Sequence, residues 1–116
     1  MIYKGSCHCG GIAFEADGEI AQAMECNCSH CSRKGYLLWF LPREKLTLLT
    51  PESAMTAYSF NKHAISHRFC PRCGCAPLAF GIHPATGVAT AAINVRCLEG
   101  IDPKSLKIVP VDGRSH

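Results

Sequence analysis

The chain contains, at residues 69–74, the stretch Phe69-Cys70-Pro71-Arg72-Cys73-Gly74. Two cysteines separated by two residues, with proline after the first and glycine after the second, are typical of a zinc knuckle. Proline presets φ for the turn, and glycine accepts the positive φ that the end of the turn requires. Backbone N–H groups of such a turn point at the sulfurs and favour thiolate over thiol. A thioredoxin-like redox pair has the same spacing, but it needs a βαβ context that this stretch lacks.

A second pair of cysteines lies in the segment Cys7-His8-Cys9-Gly10-Gly11. Side chains two residues apart on an extended segment project to the same face, about 6.6 Å apart. Neighbouring sulfurs of a tetrahedral zinc site are roughly 3.8 Å apart, because each Zn–S bond is about 2.3 Å long. The glycine pair lets the backbone bend so that the two side chains converge. Together with Cys70 and Cys73, these cysteines complete the four thiolates of a closed, structural zinc site.

A third cluster, Cys26-Asn27-Cys28-Ser29-His30-Cys31, combines both spacings. Three sulfurs from six residues can cap one face of a metal ion, which leaves the fourth position for water, a substrate thiolate or another side chain. A zinc ion with three protein ligands is typical of a catalytic site. The alternative is a second structural site that is closed by Cys75, Cys97 or His30. We predict an open site, with His30 directed outward. Together with the four-cysteine site, this gives two zinc ions per chain.

The remaining cysteines and histidines show no ligand spacing. Cys75 and Cys97 are predicted to be small buried hydrophobic residues, which is the usual role of a free cysteine. Surface or loop positions are predicted for most of the other histidines, which are His63, His67, His83 and His116.

Length and charge limit the classes of function. The 116 residues predict a single domain, 1–116. The net charge of +3 is mild and the basic residues are scattered, which argues against a nucleic-acid partner. Residues 1–7 contain no apolar signal-peptide core, and the longest apolar run, residues 36–41, is too short to span a membrane. We expect a cytoplasmic protein, where close cysteine pairs indicate metal sites more often than disulfides. The oligomeric state is left open.

Short apolar segments, rich in β-branched or aromatic residues, recur about every ten residues between Gly, Pro, Asn and Asp. This spacing predicts a mainly β fold of antiparallel sheets with little helix. The one predicted helix is short and runs from Ser29 to Gly35. The predicted strands are 11–15, 22–26, 37–41, 46–49, 55–59, 66–70, 79–82, 88–95 and 107–111.

The ordered cysteine motifs at residues 5–15, 26–33 and 69–74 resemble those of the glutathione-dependent formaldehyde-activating enzyme family, which shares its domain with centromere protein V. Residues 94–100 and 112–115 are similar to the compact bacterial branch. The resemblance implies an Mss4-like fold stapled by two zinc ions. It implies that Cys26, Cys28 and Cys31 hold the catalytic zinc. It also implies a structural zinc, held by Cys7, Cys9, Cys70 and Cys73.

The family's activity implies a carbon–sulfur lyase. It joins formaldehyde and glutathione reversibly into S-(hydroxymethyl)glutathione. We therefore predict a zinc-dependent carbon–sulfur lyase that acts on thiol–aldehyde adducts, with a small thiol such as glutathione and an aldehyde as its partners. The three cysteines of the third cluster are the predicted catalytic residues. Arg33, His30 and Arg96 lie beside cysteine motifs and are candidates to stabilise the oxyanion, and Arg33 is included in the predicted site.

Two alternatives use the same fold without catalysis. A non-catalytic zinc module would bind a protein partner, since a fold does not determine a function. Such a module predicts an exposed apolar patch at Tyr36, Leu38, Trp39 and Phe40, although strand residues of this kind usually belong to the core. The second alternative is a zinc or redox sensor that loses zinc from the third cluster on oxidation.

Overall fold

The computed structural model describes residues 1–115. These residues contain ten strands, one α-helix and four short 3₁₀ turns. The helix α1 spans Ser29–Lys34, and the 3₁₀ turns span Arg43–Lys45, Glu52–Ala54, Val95–Cys97 and Pro103–Ser105. The strands are β1 (Ile2–Ser6), β2 (Ala13–Asp17), β3 (Gln22–Cys26), β4 (Leu38–Pro42), β5 (Leu46–Leu48), β6 (Thr56–Tyr58), β7 (Ser66–Phe69), β8 (Leu78–Ile82), β9 (Ala89–Asn94) and β10 (Lys107–Val111).

The strands form two sheets. A three-stranded antiparallel sheet has the order β1-β2-β5, and a seven-stranded sheet has the order β10-β3-β4-β9-β8-β7-β6. The predicted mainly β fold with little helix is confirmed. The larger sheet is mixed, because β10 pairs parallel to β3 in the register Lys107↔Gln22 to Val111↔Cys26. Strand direction depends on how residues 95–106 carry the chain back across the sheet, and residue pattern does not encode it.

The predicted element bounds agree closely with the structure. Strands β3 and β10 have the predicted bounds, and the other predicted strands are shifted or trimmed by a few residues. Strand β1 was not predicted, since Gly5 and Ser6 interrupt its apolar pattern. Helix α1 begins after its N-cap Cys28 and ends before Gly35, whose φ of 71° supplies the left-handed C-cap.

The apolar core has two parts, and each cysteine group belongs to one of them. The larger cluster contains the fully buried Phe14, Ile12 and Ile93 and includes Cys7 and Cys70. The smaller cluster lies around Cys31 and Tyr36, and the other two cysteines of the third motif pack against it. Residues 1–115 form no helix with the length and apolar character needed to cross a membrane.

Candidate metal centres

The first cysteine group joins the segment before β2 to the turn after β7. The sulfurs of Cys7, Cys9, Cys70 and Cys73 all lie within 4.8 Å of one another. The Sγ atom of Cys9 is 3.7 Å from that of Cys7 and 3.5 Å from that of Cys70. These distances are close to the roughly 3.8 Å between neighbouring sulfurs of a tetrahedral zinc site. The four side chains could therefore hold one metal ion.

Backbone donors surround the sulfur of Cys70, as the knuckle sequence predicts. The N–H groups of Arg72 and Cys73 donate to Cys70 Sγ at 3.4 and 3.5 Å. Gly74 closes the turn with a φ of 77° and donates its N–H to the Cys70 carbonyl at 2.9 Å. The Cys73 and Arg72 N–H groups lower the pKa of Cys70, although burial opposes them. This turn therefore stabilises a thiolate ligand.

The thiols of this group have divergent pKa values. The backbone N–H groups of Cys75 and Cys9 lower the pKa of Cys73 to about 5. At Cys9 the Gly11 N–H lowers the pKa, but the Cys70 sulfur, burial and the other sulfurs together raise it to about 11. Sulfurs at this spacing cannot all ionise unless a cation offsets their repulsion. The donor set therefore fits a divalent, thiolate-binding ion such as zinc.

The second group, which we call the tripod, consists of Cys26, Cys28 and Cys31. Their sulfurs also lie within 4.8 Å of one another. Cys26 ends strand β3, Cys28 is the N-cap of α1, and Cys31 lies in the first turn of that helix. The short helix thus brings the second and third ligands back beside the first. The group is compact enough to cap one face of a single ion.

Backbone N–H groups and burial also shape the tripod. Cys26 Sγ accepts from the Cys28 N–H at 3.4 Å, and Cys28 Sγ accepts from the Cys31 N–H at 3.3 Å. Burial raises the pKa of Cys28, but the N–H groups of Cys31 and His30 outweigh it and the net pKa is lowered. Burial, followed by the neighbouring Cys28 sulfur, raises the pKa of Cys31. A metal ion would let all three act as thiolates.

The tripod has no fourth protein ligand among residues 1–115. No other Cys, His, Asp or Glu in this part of the chain joins it within the same distance. The tripod is not completed by any of the alternative fourth ligands, Cys75, Cys97 and His30. Cys75 and Cys97 are partly buried rather than fully buried. Burial, with the nearby sulfurs of Cys75, Cys7 and Cys73, raises the pKa of Cys97 to about 11.

A segment that we call the strap, residues 111–115, is bound to the tripod loop by Asn27. The Asn27 backbone N–H donates to the Val111 carbonyl at 3.1 Å, continuing the parallel pairing of β3 and β10. Its side-chain amide donates to Asp112 Oδ1 at 3.0 Å and accepts from the Arg114 N–H at 2.9 Å. Asn27 therefore uses both ends of its side chain to hold the strap beside the tripod cysteines.

The strap approaches the tripod most closely at Gly113. A β-carbon at this position would overlap Cys26 Sγ and stand 3.4 Å from Cys28 Cβ. Glycine is therefore required at this position by the sulfur of a ligand. The sequence gives no local signal for this, since 85 residues or more separate Gly113 from the cysteines it contacts.

One cavity adjoins the tripod, and a second lies beside helix α1. The tripod cavity, of about 460 Å³, is lined by Glu25, Cys26, Asn27, Cys31, Ser32, Gly35, Tyr36, Pro110, Val111 and Asp112. The second, which we call the ring cavity, has a volume of about 530 Å³ and is lined by His30, Arg33, Lys34, Tyr36, Ala57, Tyr58, His67 and Phe69. Tyr36 lines both of them.

Tyr36 is a functional candidate that the sequence did not identify. Its side chain is only 4% exposed and packs in the smaller core cluster with Cys31. Burial, followed by the sulfurs of Cys31, Cys97 and Cys28, raises the pKa of Tyr36 to about 12. Its phenol therefore keeps its proton at neutral pH and can donate a hydrogen bond. The nearest sequence signal was its place just after the helix-ending Gly35.

The arginines predicted as oxyanion donors lie away from the tripod cavity. Arg33 is exposed, donates from Nη1 to the Ser29 carbonyl at 2.7 Å and lines the ring cavity. Arg96 is exposed in the 3₁₀ turn Val95–Cys97 and lines neither cavity. The structure therefore brings Arg33 to the ring cavity and Arg96 to neither cavity.

His30 and His67 differ from their predicted surroundings. His30 does not join the tripod, as predicted, but it is half-buried and not a surface residue: its ring centroid lies 4.2 Å from that of His67 and 5.5 Å from that of Tyr58. His67, predicted at a surface or in a loop, lies in β7 and is only 6% exposed. The alternation of β7 turns it inward. His63 and His83 are exposed, and His116 lies outside the described residues.

The predicted apolar patch is largely core. Tyr36, Leu38 and Trp39 are buried, whereas Phe40 is 47% exposed. Alternation along β4 places Phe40 on the face opposite to Trp39 and Leu41.

The fold and the cysteine groups agree with comparisons to known proteins. Residues 2–107 match the family described as glutathione-dependent formaldehyde-activating enzyme. The structure is also similar to the crystal structure of a Rhodobacter sphaeroides protein, with a TM-score of 0.79 and 30% sequence identity. That similarity covers 92% of this chain and 97% of the other. The chain therefore belongs to the glutathione-dependent formaldehyde-activating enzyme family.

Proposed function

We propose that this protein is a zinc-dependent carbon–sulfur lyase that forms and cleaves thiol–aldehyde adducts at the tripod. The observation that carries the proposal is the tripod itself. Three sulfurs lie within 4.8 Å of one another beside a cavity of about 460 Å³, and no fourth ligand joins them from residues 1–115. In this proposal the chain binds two zinc ions, and Cys7, Cys9, Cys70 and Cys73 hold the structural one.

The three cysteines favour a thiol as the fourth ligand. Zinc bound to three thiolates would hold an incoming thiol as its thiolate, since zinc accepts sulfur readily and three thiolates damp its Lewis acidity. The N–H donors to Cys26 and Cys28 keep these side chains in the orientation that binds metal. The tripod cavity supplies the space for the rest of the thiol and for the aldehyde.

The reaction is a reversible addition. The substrate sulfur forms a bond with the aldehyde carbon, the carbonyl π pair moves to oxygen, and the proton that the thiol gave up ends on that oxygen. We assign to Tyr36 the hydrogen bond that stabilises the developing oxyanion. Its phenol is protonated and buried, and it lines the tripod cavity. Arg33 lines the ring cavity and not the tripod cavity, so we assign it no part in this addition.

Glutathione and formaldehyde are the first substrates to test, because the family description names them. In this proposal residues 1–116 form a single domain that works in the cytoplasm. The alternative of a partner-binding module loses its predicted patch, since only Phe40 of the four residues is exposed.

The test is the rate of adduct exchange. Carbon-13 exchange spectroscopy on labelled formaldehyde with excess glutathione measures interconversion of the aldehyde hydrate and the adduct. We expect wild type to accelerate exchange, and we expect Cys28→Ala to reduce it to the rate without protein. Cys97→Ala, which changes a cysteine outside both ligand groups, should retain the activity. If wild type fails to accelerate exchange across a panel of small thiols and aldehydes, the lyase proposal is wrong.

A further inference from the structure

The ring cavity has aromatic walls and a positive rim. Its volume of about 530 Å³ lies in the range of small-molecule sites. Two of the lining residues are cationic, Arg33 and Lys34, and none carries a carboxylate. A cavity of this kind favours an anionic ligand with an apolar body.

Aromatic rings form most of the cavity wall. The His67 ring is inclined by 6° to that of Tyr36 at a centroid distance of 6.1 Å, and by 41° to that of His30 at 4.2 Å. His30 and Tyr58 continue the wall, with an angle of 27° between their rings. A wall of aromatic side chains favours an aromatic ligand, since edge-to-face and offset contacts add to the burial of apolar area.

The imidazoles add polar atoms to this wall. The Nδ1 atoms of His30 and His67 are buried and have no hydrogen-bond partner among residues 1–115. With or without a proton, a buried nitrogen of this kind is an unsatisfied polar group. The wall therefore holds two nitrogens whose hydrogen-bonding capacity these residues leave unused.

The two cations are held at the rim by local contacts. Lys34 Nζ lies 5.5 Å from the ring centroid of Phe69, which also lines the cavity. Arg33 is anchored through the Ser29 carbonyl at 2.7 Å. Both cations lie in the last turn of α1, the helix that contains Cys31. A ligand in the ring cavity therefore lies beside the tripod.

We propose that the ring cavity binds an aromatic carboxylate, with its ring against the wall of Tyr36, His67 and Tyr58 and its carboxylate towards Arg33 and Lys34. This proposal does not depend on the lyase activity, because ligand binding is measured without turnover. Through Tyr36, which lines both cavities, the bound ligand lies next to the tripod cavity.

The experiment titrates the zinc-loaded protein with benzoate and follows the imidazole Hε1 resonances of His30 and His67 by NMR. We expect saturable shifts of both. Benzamide, which is flat but neutral, and cyclohexanecarboxylate, which is charged but not flat, should each bind at least about threefold more weakly. Absence of saturation at about 10 mM benzoate, or equal affinity for all three probes, would overturn the proposal.

Variants locate the site. Ala57→Trp should abolish the shifts by filling the cavity, and Ala57→Leu should weaken binding if the tryptophan variant does not fold. Lys34→Gln should weaken benzoate binding about two- to fivefold, whereas Lys45→Gln, an exposed lysine outside the lining, should leave it unchanged. Unchanged binding in the Ala57 variants would contradict this location. An inactive protein that still binds benzoate would refute the lyase and leave the ring-cavity site standing.

Discussion

Gly113 lies directly against the sulfur of Cys26, and a β-carbon at position 113 would overlap that sulfur. The contact links a residue of the strap to a tripod ligand 87 positions earlier in the chain. The strap is therefore a wall of the candidate metal site, held in place by the side chain of Asn27.

We expect Gly113→Ala to weaken zinc binding at the tripod. The added methyl group must displace either the strap or the Cys26 sulfur, and changes next to a metal ligand typically cost about 10- to 100-fold in affinity. Competition with a chromogenic chelator would measure the loss as one weakly bound zinc per chain. Gly81→Ala is the control, since its β-carbon would meet its nearest atom, the Ala64 carbonyl oxygen, at an ordinary 3.5 Å. Equal zinc affinity in both variants would show that the contact is unimportant.

Asn27→Ala should release the strap. The substitution removes the side-chain bonds to Asp112 and to the Arg114 N–H, which together contribute about 1–2 kcal/mol. Hydrogen exchange at the Arg114 amide should become about tenfold faster. Asp102→Ala is the control, because it removes a similar side-chain acceptor, the carboxylate that accepts from the Lys104 N–H. It should leave hydrogen exchange at the Arg114 amide unchanged. An unchanged exchange rate in Asn27→Ala would mean that the strap is held by other contacts.

The two cysteine groups should differ in their effect on folding. Cys70→Ser removes a ligand that belongs to the larger core, so zinc content should fall and Tm should drop by more than about 10 °C. Cys28→Ser should also lose one zinc, but its Tm should stay closer to wild type because Cys28 only packs against the smaller cluster. Elemental analysis and thermal melts measure both effects. The assignment fails if Cys28→Ser is the more destabilised variant.

His67 should make the fold sensitive to acid. Burial, together with the charges of His30 and Lys34, lowers the pKa of His67 to about 4, against about 6.5 in an unfolded chain. Its contribution to stability is therefore fully present above pH ~6.5 and is lost as the pH falls from ~6.5 to ~4, by about 1–3 kcal/mol. Urea unfolding of wild type and His67→Gln across this range would show it as a difference between the two pH profiles. Parallel profiles would contradict the low pKa, and an NMR titration of the His67 ring gives the value directly.

Tyr36→Phe should lower kcat about 100-fold with little change in KM, as expected when one donor to an oxyanion is removed. The ring and its packing stay in place, so zinc content and Tm should be preserved. Tyr3→Phe is the matched control, because Tyr3 packs edge-on against Trp39 in the larger core. A kcat within twofold of wild type would remove Tyr36 from the mechanism.

Local spacing accounts for what the sequence could predict. The knuckle turn, the N-cap at Cys28 and the end of α1 at Gly35 each depend on residues only a few positions apart, so their geometry follows from the pattern. The same holds for strands β3 and β10, whose bounds were predicted. The sequence predicts that Cys7 and Cys9 join Cys70 and Cys73 because a closed zinc site needs four ligands.

Contacts between distant segments account for the rest. His67 of β7 and His30 of α1 come together across 37 residues of sequence, and neither residue carries a local signal for this. Gly113 is constrained by a sulfur from β3 only after β10 has paired in parallel with that strand. Likewise, Tyr36 lines both cavities because of the way in which distant segments pack around its ring.

The parallel pairing of β10 with β3 also sets an order of events during biosynthesis. All seven cysteines of the two groups are synthesised before residues 107–115. A nascent chain can therefore gather its sulfurs while the flank that the strap later covers is still open to solvent and to metal donors. Metal delivery during translation would use this opening, and the arrival of the last strand would then close it.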